Sequence, residues 1–554
     1  MIILGLLFCG LVIKELMPMN TSTNNSKSKP QKYVIAIDLG TSGTKIGLVN
    51  LDGKVVAYAV KRYETHFLPD GGVEQVPAEW WEAIDSGVKQ VIKDSGAALE
   101  EIVAIGVTSQ WAVTVAVDEH GEPLMNAISW MDSRGGKYNA EIVKGFPSLQ
   151  GYEIRKLLKW IKIVGIPPLL EGNDTLAHML YIKNELPDIY RKTYKFLEPM
   201  DFINMRLTGN ANATQNSNVA TTLIDNRKEG TQDYDSWALK LSGIDRAKLP
   251  DLLPVEGIVG NLHADIAREW GLSTSTVVIT PANDNSVVPI GTGAIADFEA
   301  VAVLGTSGML AFHYPDKKTD LMHMVATMPS SLSNRYLFWA DTGNTGKVVD
   351  SFLKNLVYGQ DAFCAVDVPE DVYARLNQSA AQASAGSEGV LFLPWFNGGG
   401  LAPAVDQYLR GGFINLTTHT TRNHLARAML EGITYNWRWL KEAAEAFTKC
   451  RFPYWRLTGG GALSDIWAQI MADIIGIPMH QQENPSQSTL MGIAFLAFNR
   501  LGLMALDEIP NKVSTKRIFE PDQANRDVYE RMYTQFRQSQ RKLKPIFHKL
   551  NKPS

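Results

Sequence analysis

The string LGTSG occurs twice, at residues 39–43 and again at 304–308, half a chain apart. The first copy stands in AIDLGTSGTKIGL (36–48), the second in AVLGTSGMLAF (302–312). In both, apolar and β-branched runs flank a tip of Gly, Ser and Thr, which reads as strand, tight turn, strand. Five matching residues can arise by chance. The same match in the same context, twice, points to two related domains that each open with a hairpin. Strand-like runs at 101–109, 113–118, 276–281 and 390–395 alternate with helical stretches at 78–94 and 422–447. That alternation predicts α/β domains built around mixed sheets, with the break near 294–300 (AIADFEA). The expected organisation is a leader over 1–32, an N-terminal domain over 33–294, a C-terminal domain over 295–525, and a polar, basic and solvated helix and tail over 526–554.

Composition narrows the function classes. A chain of 554 residues has room for about three domains, or two large ones. Hydrophobic residues at 45% and charged residues at 20% exclude a mainly disordered chain. A net charge of −4 leaves no electrostatic footprint for nucleic acid or an anionic membrane, so neither is expected as a partner. The three cysteines, Cys9, Cys364 and Cys450, show no CxxC or metal spacing. A reducing cytoplasm is therefore expected rather than a disulfide framework. The first 13 residues, MIILGLLFCGLVI, are apolar, but too few to span a bilayer comfortably. No basic residue precedes them and no A-x-A-like site follows. The expectation is an over-extended start with Met17 or Met19 as initiator, an export or anchor signal being the alternative. Residues 18–32 read as a flexible leader.

In the first hairpin, Gly40 and Gly43 allow a sharp turn with N–H groups facing outward, Thr41, Ser42 and Thr44 add hydroxyls, and Lys45 adds a positive charge. That is the chemistry of a phosphate cradle. It is not a Walker loop, because the GxxxxGK[ST] spacing is absent and a strand follows where a helix should. Asp38, at the strand end, is suited to directing Mg²⁺ through water. The bland alternative is an ordinary hairpin with a buried capping Asp. In the second copy, Gly305, Thr306, Ser307 and Gly308 follow Leu304 rather than an acid. One loop would thus grip phosphates with a metal-directing acid, the other with donors alone, and two facing hairpins would clamp one nucleotide.

Asp284, in ThrProAlaAsnAspAsn (280–285), follows a strand. An acid leaving a strand end into a cleft suits a general base; an N-cap is the competing role. Thr458-Gly459-Gly460-Gly461-Ala462 precedes an apolar pattern of helical period through Ile475, closed by Gly476 and Pro478. A Gly-rich loop at a helix start lets a flat ring or phosphate approach the backbone. Gln110 and Trp111 end the strand VAIGVTS, and Gly72-Val73-Glu74-Gln75 precedes a helix. Amides, carboxylates and aromatic faces together suit sugar recognition. Trp80, Trp81 and Trp130 are read as core.

DLGTSGTK, GGVEQVPAEWW, VTSQW followed by SWMDSR, Asp284-Asn285, LGTSG, GGFINLTTHTTRNHLARAMLEGI and GGGALSDIWAQIMADIIGIP, in this order over residues 33 to about 505, resemble the FGGY carbohydrate kinases, nearest to xylulokinase-like members. The resemblance implies two ribonuclease-H-like domains of the actin/hexokinase type, with ATP, Mg²⁺ and a sugar or polyol in the cleft between. Carried over residue by residue, it implies Asp284 as catalytic base, Asn285 as its sugar-contacting neighbour and Asp38 as metal-directing acid. Thr41, Ser42 and Lys45 fall on the first phosphate loop, and Gly305 and Thr306 on the second. Gly343 and Lys347, in DTGNTGK, fall on the nucleotide, Gly461 and Asp465 on the adenosine, and Gln110 and Trp111 on the sugar. Two departures stand out: Trp111-Ala112 where xylulokinases usually show Met-His, and Gly398-Gly399-Gly400-Leu401-Ala402-Pro403 where the family often has Gly-Glu-Arg-x-Pro. The implied reaction is phosphorylation of a ketopentose such as xylulose. A kinase for ribulose, glycerol or a hexulose, and a non-catalytic sensor on the same fold, are the rivals. The retained Asp38 and Asp284 argue against the sensor. Oligomeric state stays open, a homodimer among the options.

Overall fold

The computed structural model describes residues 31–228, 230–320, 325–396, 398–399 and 406–552. The apolar start with Cys9, and the Gly400-Leu401-Ala402-Pro403 stretch, lie outside the described residues.

Strand β1 (Tyr33–Leu39) runs antiparallel to β2 (Gly43–Asn50), which pairs antiparallel with β3 (Val55–Arg62). On its other side β1 runs parallel to β4 (Ile102–Ser109). With β5 (Ile258–Asn261) and β6 (Val277–Ile279), these strands form a sheet of order β5-β6-β4-β1-β2-β3, to which Ala282–Asn283 adds a short segment on β4. A second sheet contains β7 (Ala300–Val303), β8 (Met309–Tyr314), β9 (Thr319–Asp320), β10 (Val325–Pro329), β11 (Tyr336–Asp341), β12 (Trp455–Thr458), β13 (Met479–Gln482) and β14 (Thr515–Phe519). Its order is β9-β10-β11-β8-β7-β12-β13-β14. The runs β3-β2-β1-β4-β6 and β11-β8-β7-β12-β13 share order and sense: two antiparallel pairings, then two parallel ones. The repeated LGTSG is therefore the mark of a repeated topology, and the expected duplicated α/β fold is the observed one.

β1 is apolar almost throughout because both its faces are covered. Ile35, Ile37 and Leu39 join the cluster containing Trp80, Ile84 and Val88 of helix α1 (Pro77–Ser95). Val34 and Ala36 join a cluster with Val287 and Ile290 of α2 (Asp284–Gly291) and with Leu490 and Ile493 of a later helix, Ser488–Arg500. Asp38 continues the Val34/Ala36 face by the two-residue period of a strand. α3 (Arg422–Thr448), α4 (Asp465–Ile475), α5 (that same Ser488–Arg500) and α6 (Arg526–Asn551) complete the helices used below.

α5 belongs to the second half of the sequence yet packs on the first sheet. Its residues LMGIAFLAF are buried all round, and α2 meets it backbone to backbone. A Cβ on Gly291 would lie 1.7 Å from the Ser488 carbonyl, and one on Gly492 would lie 2.0 Å from that of Val287. Only glycine fits at both places.

Most predicted strands shorten at their ends, to Val115–Val117, Val277–Ile279 and Leu391–Leu393. The terminal helix differs more. The sequence suggested a solvated element, but Tyr529, Met532, Tyr533 and Phe536 of α6 are buried in the second core. Their spacing of three and four residues puts them on one face, which the basic residues between them disguise.

Candidate active site

The tip between β1 and β2 closes with a hydrogen bond from Gly40 N to Gly43 O at 3.0 Å. Several side chains hold this turn from outside. Tyr63 donates its hydroxyl to the Gly40 carbonyl. Thr65 Oγ1 and Gln75 Nε2 donate to the Thr41 carbonyl at 3.1 and 2.6 Å. Trp130 Nε1 reaches Thr41 Oγ1 at 3.2 Å. That contact corrects the reading of Trp130 as core, since the residue is 41% exposed beside the loop. Trp80 is fully buried, and Trp81 stacks on Trp270 at 6.1 Å. Ser42 is exposed at the tip.

Asp38 is 5% exposed. Its Oδ2 receives Lys45 Nζ at 3.2 Å, from across the hairpin, and Thr489 Oγ1 at 2.6 Å, from the first turn of α5. Thr489 is invisible to motif reasoning on the first half of the chain. A weak signal is the polar run PSQST that opens an otherwise apolar helix.

The second tip gathers three predicted motifs. Gly346 N donates to Gly305 O and Lys347 N to Thr306 O, both at 2.9 Å. Gly461 N donates to Leu304 O at 2.9 Å. Gly343 N donates to Asp341 Oδ1 at 2.6 Å, and burial pushes that carboxyl above its ordinary range. Gly308 has φ +93°, and a Cβ there would lie 2.1 Å from Thr345 Oγ1. Lys347 is exposed. Asp465 opens α4 behind its cap Ser464 and receives Gln481 Nε2 at 3.0 Å and Lys516 Nζ at 3.3 Å. Gln481 and Lys516 hold its carboxyl below the usual carboxylate range.

A short route joins the two tips. Leu304 N donates to Thr458 O at 2.8 Å, Thr458 Oγ1 lies 2.6 Å from Ser488 Oγ, and the next residue, Thr489, donates to Asp38. Gly305, Thr306, Gly343, Lys347 and Gly461 are thus brought together, and α5 ties their cluster to Asp38, Thr41 and Lys45.

Asp284 is the first residue of α2, but the cap is Asn283, whose side chain accepts Ser286 N at 3.0 Å. Asn283 is itself fixed by Asn216 through two hydrogen bonds of 3.0 Å. The capping role that competes for an acid at a helix start is therefore filled by the neighbour. The Asp284 carboxylate is half-buried and accepts Asn285 N at 2.8 Å. Burial first, and the nearby Asp38 charge second, push it up to about 7, while Asn285 N–H and Lys45 pull the other way.

On the remaining side, Gln110 is buried and donates Nε2 to Gln75 Oε1 at 2.7 Å, while its Oε1 has no hydrogen-bond partner among the described residues. Trp111 meets Trp339 of β11 edge-on, ring centroids 5.8 Å apart at 88°. Both rings pack on the cluster containing Val288 of α2 and Met309 of β8. Trp339 was missed, because a single aromatic in a strand carries no motif.

Comparison with known proteins identifies the family. The family model of the N-terminal domain of FGGY carbohydrate kinases matches residues 33–291, and that of the C-terminal domain matches 300–500. A xylulose kinase of Staphylococcus epidermidis is 30% identical over 91% of this chain and 95% of its own. A gluconokinase of Bacillus subtilis is 27% identical over 85% and 88%. The crystal structure of a ligand-bound xylulose kinase from Lactobacillus acidophilus has the same fold, with a TM-score of 0.80 at 24% identity, covering 94% of this chain and all of that one. The fold and the matches define a phosphotransferase of sugar-kinase type. The chain belongs to the FGGY family of carbohydrate kinases, for which ATP is the phosphoryl donor. Among the described residues, no helix is long and apolar enough to cross a membrane.

Proposed function

We propose that this enzyme transfers the γ-phosphoryl group of ATP to a hydroxyl of a small ketose or polyol, with a ketopentose such as xylulose as first candidate and Asp284 as general base. One observation carries the assignment of the base: a half-buried carboxylate, relieved of capping duty by Asn283 and poised near neutral pH. A base of that pKa accepts a proton from the attacking hydroxyl without being fully protonated at rest. In-line placement and charge neutralisation supply the rest of the acceleration. Lys45, the N–H groups of the 40–43 turn, Gly305-Thr306 and Lys347 are the phosphate-facing groups in this reading. Gly343, Gly461 and Asp465 face the nucleoside, and Asn285, Gln110 and Trp111 the acceptor. The unpaired Gln110 Oε1 suits a sugar hydroxyl as donor.

Magnesium fits the residues present. Both hydrogen bonds to Asp38 fall on Oδ2, so Oδ1 is the oxygen that would face a hydrated ion. Among the described residues no group of three or more His, Cys, Asp or Glu is assembled to hold a metal, and an ion bound here would be carried mainly by phosphates and water. When bound, it neutralises charge on the transferring phosphoryl group.

The Trp111–Trp339 pair favours a second reading, a different polyol or ketose. An apolar corner accepts a C–H face better than a hydroxyl. Coupled ADP release over D-xylulose, D-ribulose, D-fructose, D-gluconate and glycerol tests the proposal. Sugar-dependent turnover with one of them supports it. Sugar-independent ATP hydrolysis, or none with any compound, opposes it.

A further inference from the structure

Gln110 and Trp111 stand on a turn that an alanine makes in an unfavourable conformation. Ala112 has φ +58°, a region that L-residues rarely adopt. The ends of the turn are ordinary ladder contacts. Gln110 N donates to Leu39 O at 2.8 Å, and Thr114 and Ile128 exchange hydrogen bonds at 2.9 and 3.0 Å.

The middle rests on a buried carboxyl. Glu198 is 0% exposed and stands at the start of the helix Pro199–Thr208 without capping it. Its Oε2 accepts Val113 N at 3.0 Å, and its Oε1 accepts Thr175 Oγ1 at 2.5 Å. The nearby Ala112 N–H also favours its charged form. Among the described residues, no basic side chain forms an ion pair with it. Asp201, one turn on, is fully buried and receives Ser217 Oγ at 2.8 Å. His178 bonds Thr114 Oγ1 at 3.1 Å and is kept neutral by burial. Burying a carboxyl with no cation is costly, and neither the base nor the phosphate loops use it. Besides the Thr175 contact, what it supports is the turn.

We propose that Glu198 is a positioning residue for the acceptor end of the site: by receiving backbone N–H groups from beneath, it holds Ala112 in the left-handed conformation and so sets where Gln110 and Trp111 stand. That Gln110 and Trp111 face the acceptor rests on the proposed function; the structural claim does not. Burial pushes the Glu198 carboxyl up to about 8, and a glutamine amide, its oxygen accepting Val113 N and its NH2 donating to Thr175 Oγ1, can take its place. Leucine cannot.

The test uses the full chain carrying Glu198→Leu or Glu198→Gln, with Glu198→Met replacing the first if it does not fold. In crystal structures, the leucine (or methionine) chain should show Ala112 out of the left-handed region and Trp111 moved off Trp339, with the glutamine chain unchanged. An unchanged turn in the apolar variant overturns the proposal, whatever the enzyme acts on. In kinetics, with whichever sugar of the panel the wild type phosphorylates as probe, the apolar variant should raise the sugar KM about tenfold and leave the ATP KM within about twofold. Adding Ala112→Gly should restore the sugar KM, because glycine adopts the turn without help. A KM unchanged for the sugar, or raised equally for both substrates, also overturns it. A wild type inactive on every sugar counts against the proposed function, and the crystal structures still decide this inference.

Discussion

Thr489 Oγ1 donates to Asp38 Oδ2 at 2.6 Å although 451 positions separate the two residues. The contact joins the helix that begins beside the second LGTSG turn to the acid next to the end of the first strand. It places the Asp38 carboxylate, proposed above to direct the metal, in contact with both halves of the chain.

Thr489→Val tests that role. A hydrogen bond to a charged group is worth about 1.5–3 kcal/mol, and valine keeps the volume. The KM for MgATP should rise about tenfold, with the sugar KM nearly unchanged. Initial-rate kinetics with each substrate varied in turn checks this.

Asp284→Asn should lower kcat about 10²–10⁴-fold while circular dichroism stays that of the wild type. It also makes a stability prediction. The folded state raises the Asp284 carboxyl from 3.8 to about 7, so it binds the proton more tightly than the unfolded chain does. Wild-type stability from this group is complete below about pH 4 and is lost as pH rises through about 7. The variant does not titrate, so its Tm should exceed the wild type's at pH 8 by about 2–4 °C, the gap closing toward pH 4. Melting curves of both proteins across that range read it.

The kcat/KM profile for the sugar should have an acid limb with a midpoint near 7 in the wild type. Lys45 pulls that value down, so Lys45→Met should move the limb to higher pH as well as weaken ATP. A limb that stays put would mean the titrating group is not Asp284.

Gly308→Ala should lower the Tm and slow turnover together. The added Cβ would lie 2.1 Å from Thr345 Oγ1 at a φ of +93°, so the second loop must shift at a cost of about 1–3 kcal/mol. Thermal denaturation and kcat measure both effects. Gly305→Ala is the control, because a Cβ there meets nothing nearer than 3.9 Å; it should leave the Tm within about a degree.

The two hairpins, the α/β duplication and the glycine-rich motifs were legible in the sequence because each is local: a turn needs its glycines wherever it sits. Asp284 was legible as an acid at a strand end, but its freedom from capping was not, since that depends on Asn216 reaching Asn283 from a distant loop. Thr489, Trp339 and Glu198 were not legible for the same reason: their partners are far away in sequence and their types are unremarkable. The buried face of the terminal helix was hidden differently. The many basic residues around the four buried ones lower the mean hydropathy without breaking the helical period.

The most direct measurement is transfer of label from γ-labelled ATP by the wild type and by Asp284→Asn, with the acceptors of the panel present or absent. The account predicts label in a sugar or polyol phosphate, only when acceptor is present, and about a hundredfold less or lower still with the variant. Label released as inorganic phosphate at the same rate with or without acceptor, or equal transfer by the two proteins, would contradict it.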